Sequence, residues 1–160
     1  MSGEVWSAQG NIGRVLVFRL PPGLDLMDAI RKQVEAAGFK SAVVLGGAAS
    51  LRRAVLRNVK SSPKEWPITD ENRHYTTVEG PLELLALSGN LARNADRSFM
   101  VHLHATVSGA DGAVHGGHVV KGAIILSTGE IAVAELTGMV LTRSFNDETK
   151  TYELKPETQE

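Results

Sequence analysis

Cysteine is the first residue type that this 160-residue chain lacks. Without cysteine the chain has no disulfide framework, no thiolate nucleophile and no cysteine-ligated metal site. A reducing compartment is the default for such a composition, so we expect a cytoplasmic protein. No uncharged apolar run approaches the roughly 20 residues that a membrane span requires, so no membrane association is expected. The first ten residues also lack the basic start and the apolar run of a signal peptide.

A surplus of basic residues is missing as well. The 17 lysines and arginines are balanced by 18 aspartates and glutamates, which gives a formal net charge of -1 at pH 7. Dedicated nucleic-acid binders usually carry a basic surplus, because neutralising phosphates supplies most of their affinity. The composition therefore disfavours a dedicated nucleic-acid binder, although a local basic patch stays open. With 42% hydrophobic and 22% charged residues, the chain is long enough and apolar enough to form one globular domain.

One main helix is predicted near the N-terminus. Asp25 is a typical N-cap residue, and Gly38 suits the left-handed conformation that ends many helices. Between them Ile30, Val34 and Ala37 fall on one helical face, which would face the core.

The rest of the chain predicts about seven strands, so the fold class is α+β with a mostly antiparallel or mixed sheet. Residues 41–57 resemble a buried strand, a glycine turn and a second strand. Residues 122–136 resemble two strands around a turn at Thr128 and Gly129. Glycine punctuates both segments, and glycine is common in turns.

A single domain accounts for most of the chain. We assign residues 1–12 to an N-terminal segment, residues 13–142 to the domain and residues 143–160 to a polar C-terminal tail. The tail carries many charged and polar residues after Phe145, so we expect it to fray.

Four of the five histidines lie between residues 101 and 120. His102 and His104 are two residues apart on a predicted strand, so their rings point to the same face. Whether His118 joins them depends on the turn that follows. A two-residue loop at Asp111 and Gly112 would pair residue 104 with residue 119 and turn His118 away, unless a bulge restores the register.

A three-residue loop gives the opposite outcome. With residues 110–112 in the loop, residue 104 pairs with residue 118, and His104 and His118 become direct cross-strand neighbours. Gly112 suits the left-handed position that closes such a loop. In that register His102, His104 and His118 form one triangle, whereas His115 points the other way.

Three neutral imidazoles around one ion leave a coordination position open, as in catalytic or substrate-binding zinc sites. Zinc is the ion that we expect, and copper, nickel or iron would also suit imidazole ligands. A polar sheet face with three unrelated surface histidines is the alternative interpretation.

A second candidate site is the basic segment around residues 52–57. Arg53 and Arg57 should share one strand face, with Arg52 on the other, and these three arginines could contact phosphate or nucleic acid. The alternative is a solvated strand edge whose charges resist aggregation.

Two stretches resemble a known family, the PPC domain (plant and prokaryote conserved domain). The first is EGPLELLALSGNLA, which contains the pattern E-G-x-x-E-L-L-x-L-S-G-N, and the second is VHLHATVSGADGAVHGGHVV, which contains H-L-H and G-G-H. The resemblance implies a single domain with a mostly antiparallel sheet that assembles as a homotrimer. It also implies that His102, His104 and His118 are metal ligands. The G-G-H motif is similar to that of the acetolactate decarboxylases as well.

The resemblance supports two functions of different classes. The first is a trimeric protein whose histidines bind zinc, with the open position facing a pocket at or near a subunit interface that could take a small-molecule ligand. If it is an enzyme, the ion would act as a Lewis acid on a carbonyl or carboxylate group. The alternative is a DNA-binding or transcription-associated module without catalysis. In plants the domain accompanies AT-hooks with the sequence R-G-R-P, which this chain lacks.

Overall fold

Strands dominate the chain between residues 5 and 159, the part that the computed structural model describes. Eight strands and one α-helix form there, which confirms the α+β class and adds one strand to the seven expected. In chain order the elements are β1 (Asn11–Leu20), α1 (Leu26–Ala36), β2 (Ala42–Val59), a 3-10 turn (Asp70–Asn72), β3 (Arg73–Arg93), β4 (Phe99–Gly109), β5 (Val114–Val119), β6 (Ile124–Thr137), β7 (Met139–Asn146) and β8 (Thr151–Thr158).

All eight strands belong to one sheet in the order β1-β6-β2-β5-β4-β3-β7-β8. Every pairing is antiparallel except the one between β3 and β7. Strand β2 pairs with β3 as well as with β5, so β2, β3, β4 and β5 close on themselves. This closed part of the sheet contains the hairpin that carries the histidines.

The helix begins and ends where the sequence predicts. The Asp25 carboxylate accepts a hydrogen bond from the backbone N–H of Asp28 at 3.1 Å, and Gly38 has a φ of +70°. Ile30 and Val34 are fully buried in the core against the sheet. Within residues 5–159 no helix is long and apolar enough to cross a membrane.

Two predicted glycine turns are wrong. Residues 42–59 form the single strand β2, and residues 124–137 form the single strand β6. In β2 the pairing shifts by one residue between Val44 and Gly46, which has a φ of +152°. At Gly47 a Cβ atom would lie 2.5 Å from Cδ1 of Ile131, and Gly129 stays paired with Ala49. Here glycine permits a bulge and close strand packing instead of a chain reversal.

The prediction that the C-terminal tail frays is also wrong. Strand β8 pairs with β7 over its whole length, from Met139 with Thr158 to Asn146 with Thr151. Backbone hydrogen bonds between strands do not require apolar side chains, so a polar segment can form an edge hairpin. Phe145 and Tyr152 add an aromatic contact with ring centroids 5.5 Å apart.

Candidate metal centre

The turn between β4 and β5 has the three-residue loop that brings the histidines together. The backbone N–H of Gly109 donates to the carbonyl of Ala113 at 3.0 Å, which closes the loop around residues 110–112. Gly112 has a φ of +78°, which glycine adopts without the steric cost of a side chain. His104 is therefore the direct cross-strand partner of His118, as the three-residue register predicts.

The two faces of this hairpin have different roles. Leu103 and Val107 are fully buried in the core, so His102 and His104 point away from it. His115 pairs with Val107 and lies on the side opposite to His118, as predicted. Burial of the apolar face therefore determines which histidines can meet.

The three rings converge on one point. Nε2 of His102 lies 3.2 Å from Nε2 of His104, and one ligand nitrogen from each of the three residues lies within 4.8 Å of the others. Two nitrogens bound to one tetrahedral zinc ion at about 2.0–2.1 Å lie roughly 3.3 Å apart, which matches the first pair. A small movement of the His118 ring towards the other two would complete a set of three ligand nitrogens. These three residues could therefore hold a metal ion.

Burial and nearby cations favour the neutral form of two of these imidazoles, those of His102 and His118. The pKa of His118 is lowered to about 4, first by burial and then by the charge of Arg57. The pKa of His102 is lowered for the same reason, with Arg143 as the main nearby charge. A neutral imidazole has a free lone pair, which a metal ion requires of its ligand.

A pocket of about 300 Å³ lies beside the histidines, and three arginines line it with His102 and His118. Arg57 is the cross-strand partner of His118, and Arg73 begins β3. Arg143 comes from β7 and donates from Nη2 to Nδ1 of His102 at 3.4 Å. Sequence reasoning missed Arg73 and Arg143, because no short-range pattern links them to the histidines and Arg143 lies in the presumed tail.

Of the predicted arginine cluster, the structure places Arg57 in the histidine pocket. Arg52 and Arg53 are both exposed between the buried residues Leu51 and Ala54, since the pairing shifts between Leu51 and Arg53. No register shift falls between Arg53 and Arg57, which are four residues apart on β2 and share one face. Arg52 and Arg53 do not line the histidine pocket.

The family model of the Plants and Prokaryotes Conserved (PCC) domain matches residues 7–137. The chain belongs to this family, which confirms the resemblance found in the sequence. A protein from Synechococcus named bifunctional protein GlmU is 34% identical over 122 residues. The match covers 76% of this PCC-domain chain but only 17% of the length of that relative.

Solved structures show the same fold. A metal-containing protein from Archaeoglobus fulgidus is 26% identical with a TM-score of 0.75, and the match covers 95% of this chain and 99% of that one. A protein from Bacteroides thetaiotaomicron, described as a proposed DNA-binding protein, is 20% identical with a TM-score of 0.72. That match covers 95% of this chain and 98% of the other, and at this identity it shows the fold alone.

The similarity to acetolactate decarboxylase is weaker. The enzyme from Bacillus subtilis is 13% identical with a TM-score of 0.51, and the match covers 76% of this chain and 52% of the enzyme. The shared fold does not carry the enzyme's reaction to this PCC-domain protein.

Proposed function

We propose that this protein binds one divalent transition metal ion, with zinc as the favoured ion, through His102, His104 and His118. The observation that carries the proposal is the convergence of three imidazole nitrogens within 4.8 Å on one face of the β4–β5 hairpin. The Archaeoglobus protein described as metal-containing supports it. With three protein ligands, a tetrahedral ion keeps one position for an exogenous ligand.

The protein's own residues determine what this centre can do. The neutral rings of His102 and His118 offer lone pairs at pH 7, and the buried face of β4 holds the hairpin rigid. A bound ion supplies a Lewis acid that polarises the oxygen of a carbonyl or carboxylate ligand. The pocket beside His102 and His118 gives such a ligand a place to bind.

Metal analysis of protein purified without a histidine tag tests the proposal. After zinc loading and removal of free ion, wild type should retain about one ion per chain. His104→Ala removes one of the three ligands and should retain less than a tenth of an ion. His115→Ala lies on the other face of the same hairpin and serves as the matched control, which should retain the wild-type amount. Less than a tenth of an ion in wild type would refute the metal centre.

We also propose that the chain assembles as a homotrimer with this centre at or near a subunit interface. Cross-strand partners form one row across the sheet, from Val15 through Ala134, Val43 and Asn90 to His102. Partners in a row point to the same face, so the histidine face continues towards β1. There Val15 and Val17 are 56% and 70% exposed, an apolar surface that a second copy would cover.

The molar mass in solution reports the oligomeric state. Light scattering behind gel filtration should give three times the 17.1 kDa mass of one chain. Val17→Glu places a charge on the proposed interface and should shift the mass towards one chain. Val114→Glu changes an equally exposed valine at the hairpin tip and should leave the trimer intact. A wild-type protein that runs as a monomer at micromolar concentration would contradict the proposal.

A DNA-binding module is the second candidate function. The exposed pair Arg52 and Arg53 on β2 favours it, together with the description of the Bacteroides protein. Phosphate contacts make affinity depend steeply on salt, so a titration at about 50 and 200 mM salt tests this candidate. Binding at the lower salt that Arg53→Gln weakens would support it, and no binding at the lower salt would remove it.

A further inference from the structure

The guanidinium of the half-buried Arg143 is poorly satisfied on its buried side. Its Nη2 makes two long contacts, to Oδ1 of Asn90 and to Nδ1 of His102, both at 3.4 Å. Its Nε is buried and has no hydrogen-bond partner among residues 5–159. A buried N–H donor without an acceptor is costly, so this side chain favours an anion that supplies acceptors.

Metal binding would leave Arg143 with still fewer partners. Nε2 of His102 faces His104, so coordination uses Nε2 and leaves the proton of the neutral ring on Nδ1. A guanidinium has donors and no acceptor, and it cannot bond to a protonated Nδ1. With an ion in place, Arg143 would therefore lose its contact with His102 and keep only its long contact with Asn90.

Arg57 adds a second cation on the other side of the histidines. It is half-buried, and no ion pair joins it to an acid in the described part of the chain. No carboxylate lines the pocket. Asp70, whose charge interacts with that of Arg57, already pairs with Arg73 at 3.1 Å and accepts from the hydroxyl of Tyr75 at 3.0 Å. The pocket therefore has a positive potential even before an ion binds.

The remaining wall of the pocket is apolar. Met100, Val101 and the ring of Tyr152 line it together with the charged groups. A volume of about 300 Å³ accommodates a small molecule, and the apolar wall favours a ligand with a carbon skeleton over an inorganic anion.

We propose that this pocket is a subsite for a small organic carboxylate whose charged group lies between Arg57 and Arg143. A further oxygen of the same molecule would reach the metal ion. The second part rests on the proposed metal centre, whereas the contact with the two arginines does not. Two planar guanidiniums suit a carboxylate because each can offer two parallel N–H donors.

Cobalt-loaded protein provides the test, because the visible absorption of bound cobalt reports the ligands of the ion. We expect L-lactate to bind at least about tenfold more tightly than lactamide, its neutral counterpart of similar shape. Arg143→Gln and Arg57→Gln should each weaken lactate about tenfold while cobalt content and lactamide binding stay unchanged. Arg52→Gln removes the same charge outside the pocket and is the matched control, with wild-type affinity expected.

Two results would overturn the subsite. One is equal affinity for lactate and lactamide, and the other is unchanged lactate affinity in both pocket variants with cobalt bound. Inorganic phosphate is the third probe, and phosphate binding tighter than lactate would overturn the assignment to an organic carboxylate.

Absence of cobalt from the wild type would refute the metal centre without deciding the subsite. Calorimetry with metal-free protein then tests the arginines alone. Lactate binding that Arg143→Gln weakens and Arg143→Lys partly restores would support the subsite, and no arginine-dependent binding would refute it.

Discussion

Two hairpins line the same pocket, and they are held in very different ways. The β4–β5 hairpin places Leu103 and Val107 in the core, and its other face carries the three converging histidines. The β7–β8 hairpin lies at the sheet edge, where Phe145 and Tyr152 are 46% and 63% exposed. The proposed ligands of the ion thus come from a hairpin that packs into the core. Arg143 comes from a hairpin at the sheet edge whose aromatic side chains are largely exposed. The proposed metal centre and the pocket beside it therefore depend on separate parts of the fold.

Strand register in the first hairpin should have the largest effect. Deleting Val114 keeps the three-residue loop but removes one residue from β5, which pairs residue 104 with residue 119 and turns His118 to the opposite face. Metal content should fall from about one ion per chain to less than a tenth, while circular dichroism still shows a strand-rich protein. Asp111→Asn keeps the loop length and should keep the ion. Full metal content in the deletion variant would mean that a two-residue loop or a bulge in β4 restores the register.

Core truncation sharpens the comparison between the hairpins. Leu103 is fully buried, so Leu103→Ala should lower the free energy of unfolding by about 2–5 kcal/mol in urea titrations. Leu154 on β8 is only partly buried, and Leu154→Ala should cost about 1 kcal/mol. Similar losses for the two variants would show that the core anchors both hairpins equally.

The aromatic pair of the second hairpin should have the smallest effect. The rings of Phe145 and Tyr152 meet at 69° with centroids 5.5 Å apart. A double-mutant cycle with alanine at both positions should give a coupling energy of about 0.5 kcal/mol, because both rings are exposed. The cycle of Phe145 with the distant Tyr75 is the control and should give no coupling. A coupling near zero for Phe145 and Tyr152 would mean that the aromatic contact does not stabilise β8.

Local signals were sufficient for much of the fold and for the three histidines. Asp25 and Gly38 mark the ends of the helix because each acts through its own backbone neighbours. Gly112 favours the three-residue loop of the β4–β5 hairpin for the same reason, and the structure has this loop. The apolar alternation of β4 then determines which face the rings share.

Local sequence signals did not predict the features that depend on pairing between distant strands. Gly46 and Gly129 resemble turn residues in sequence, but the neighbouring strands make them a bulge and a point of close packing. The partner strand likewise decides that the polar tail forms β8, because only pairing with β7 satisfies its backbone.

The sequence alone was enough to predict the helix and to narrow the β4–β5 loop to two registers, one of which brings the three histidines together. Each of these features depends on residues that are close together in the sequence, where the geometry of the backbone allows few conformations. Only the tertiary structure decided the character of the pocket. Arg57 and Arg143 reach the histidines from strands far apart in the chain, and burial in the folded sheet is what leaves Arg143 short of partners.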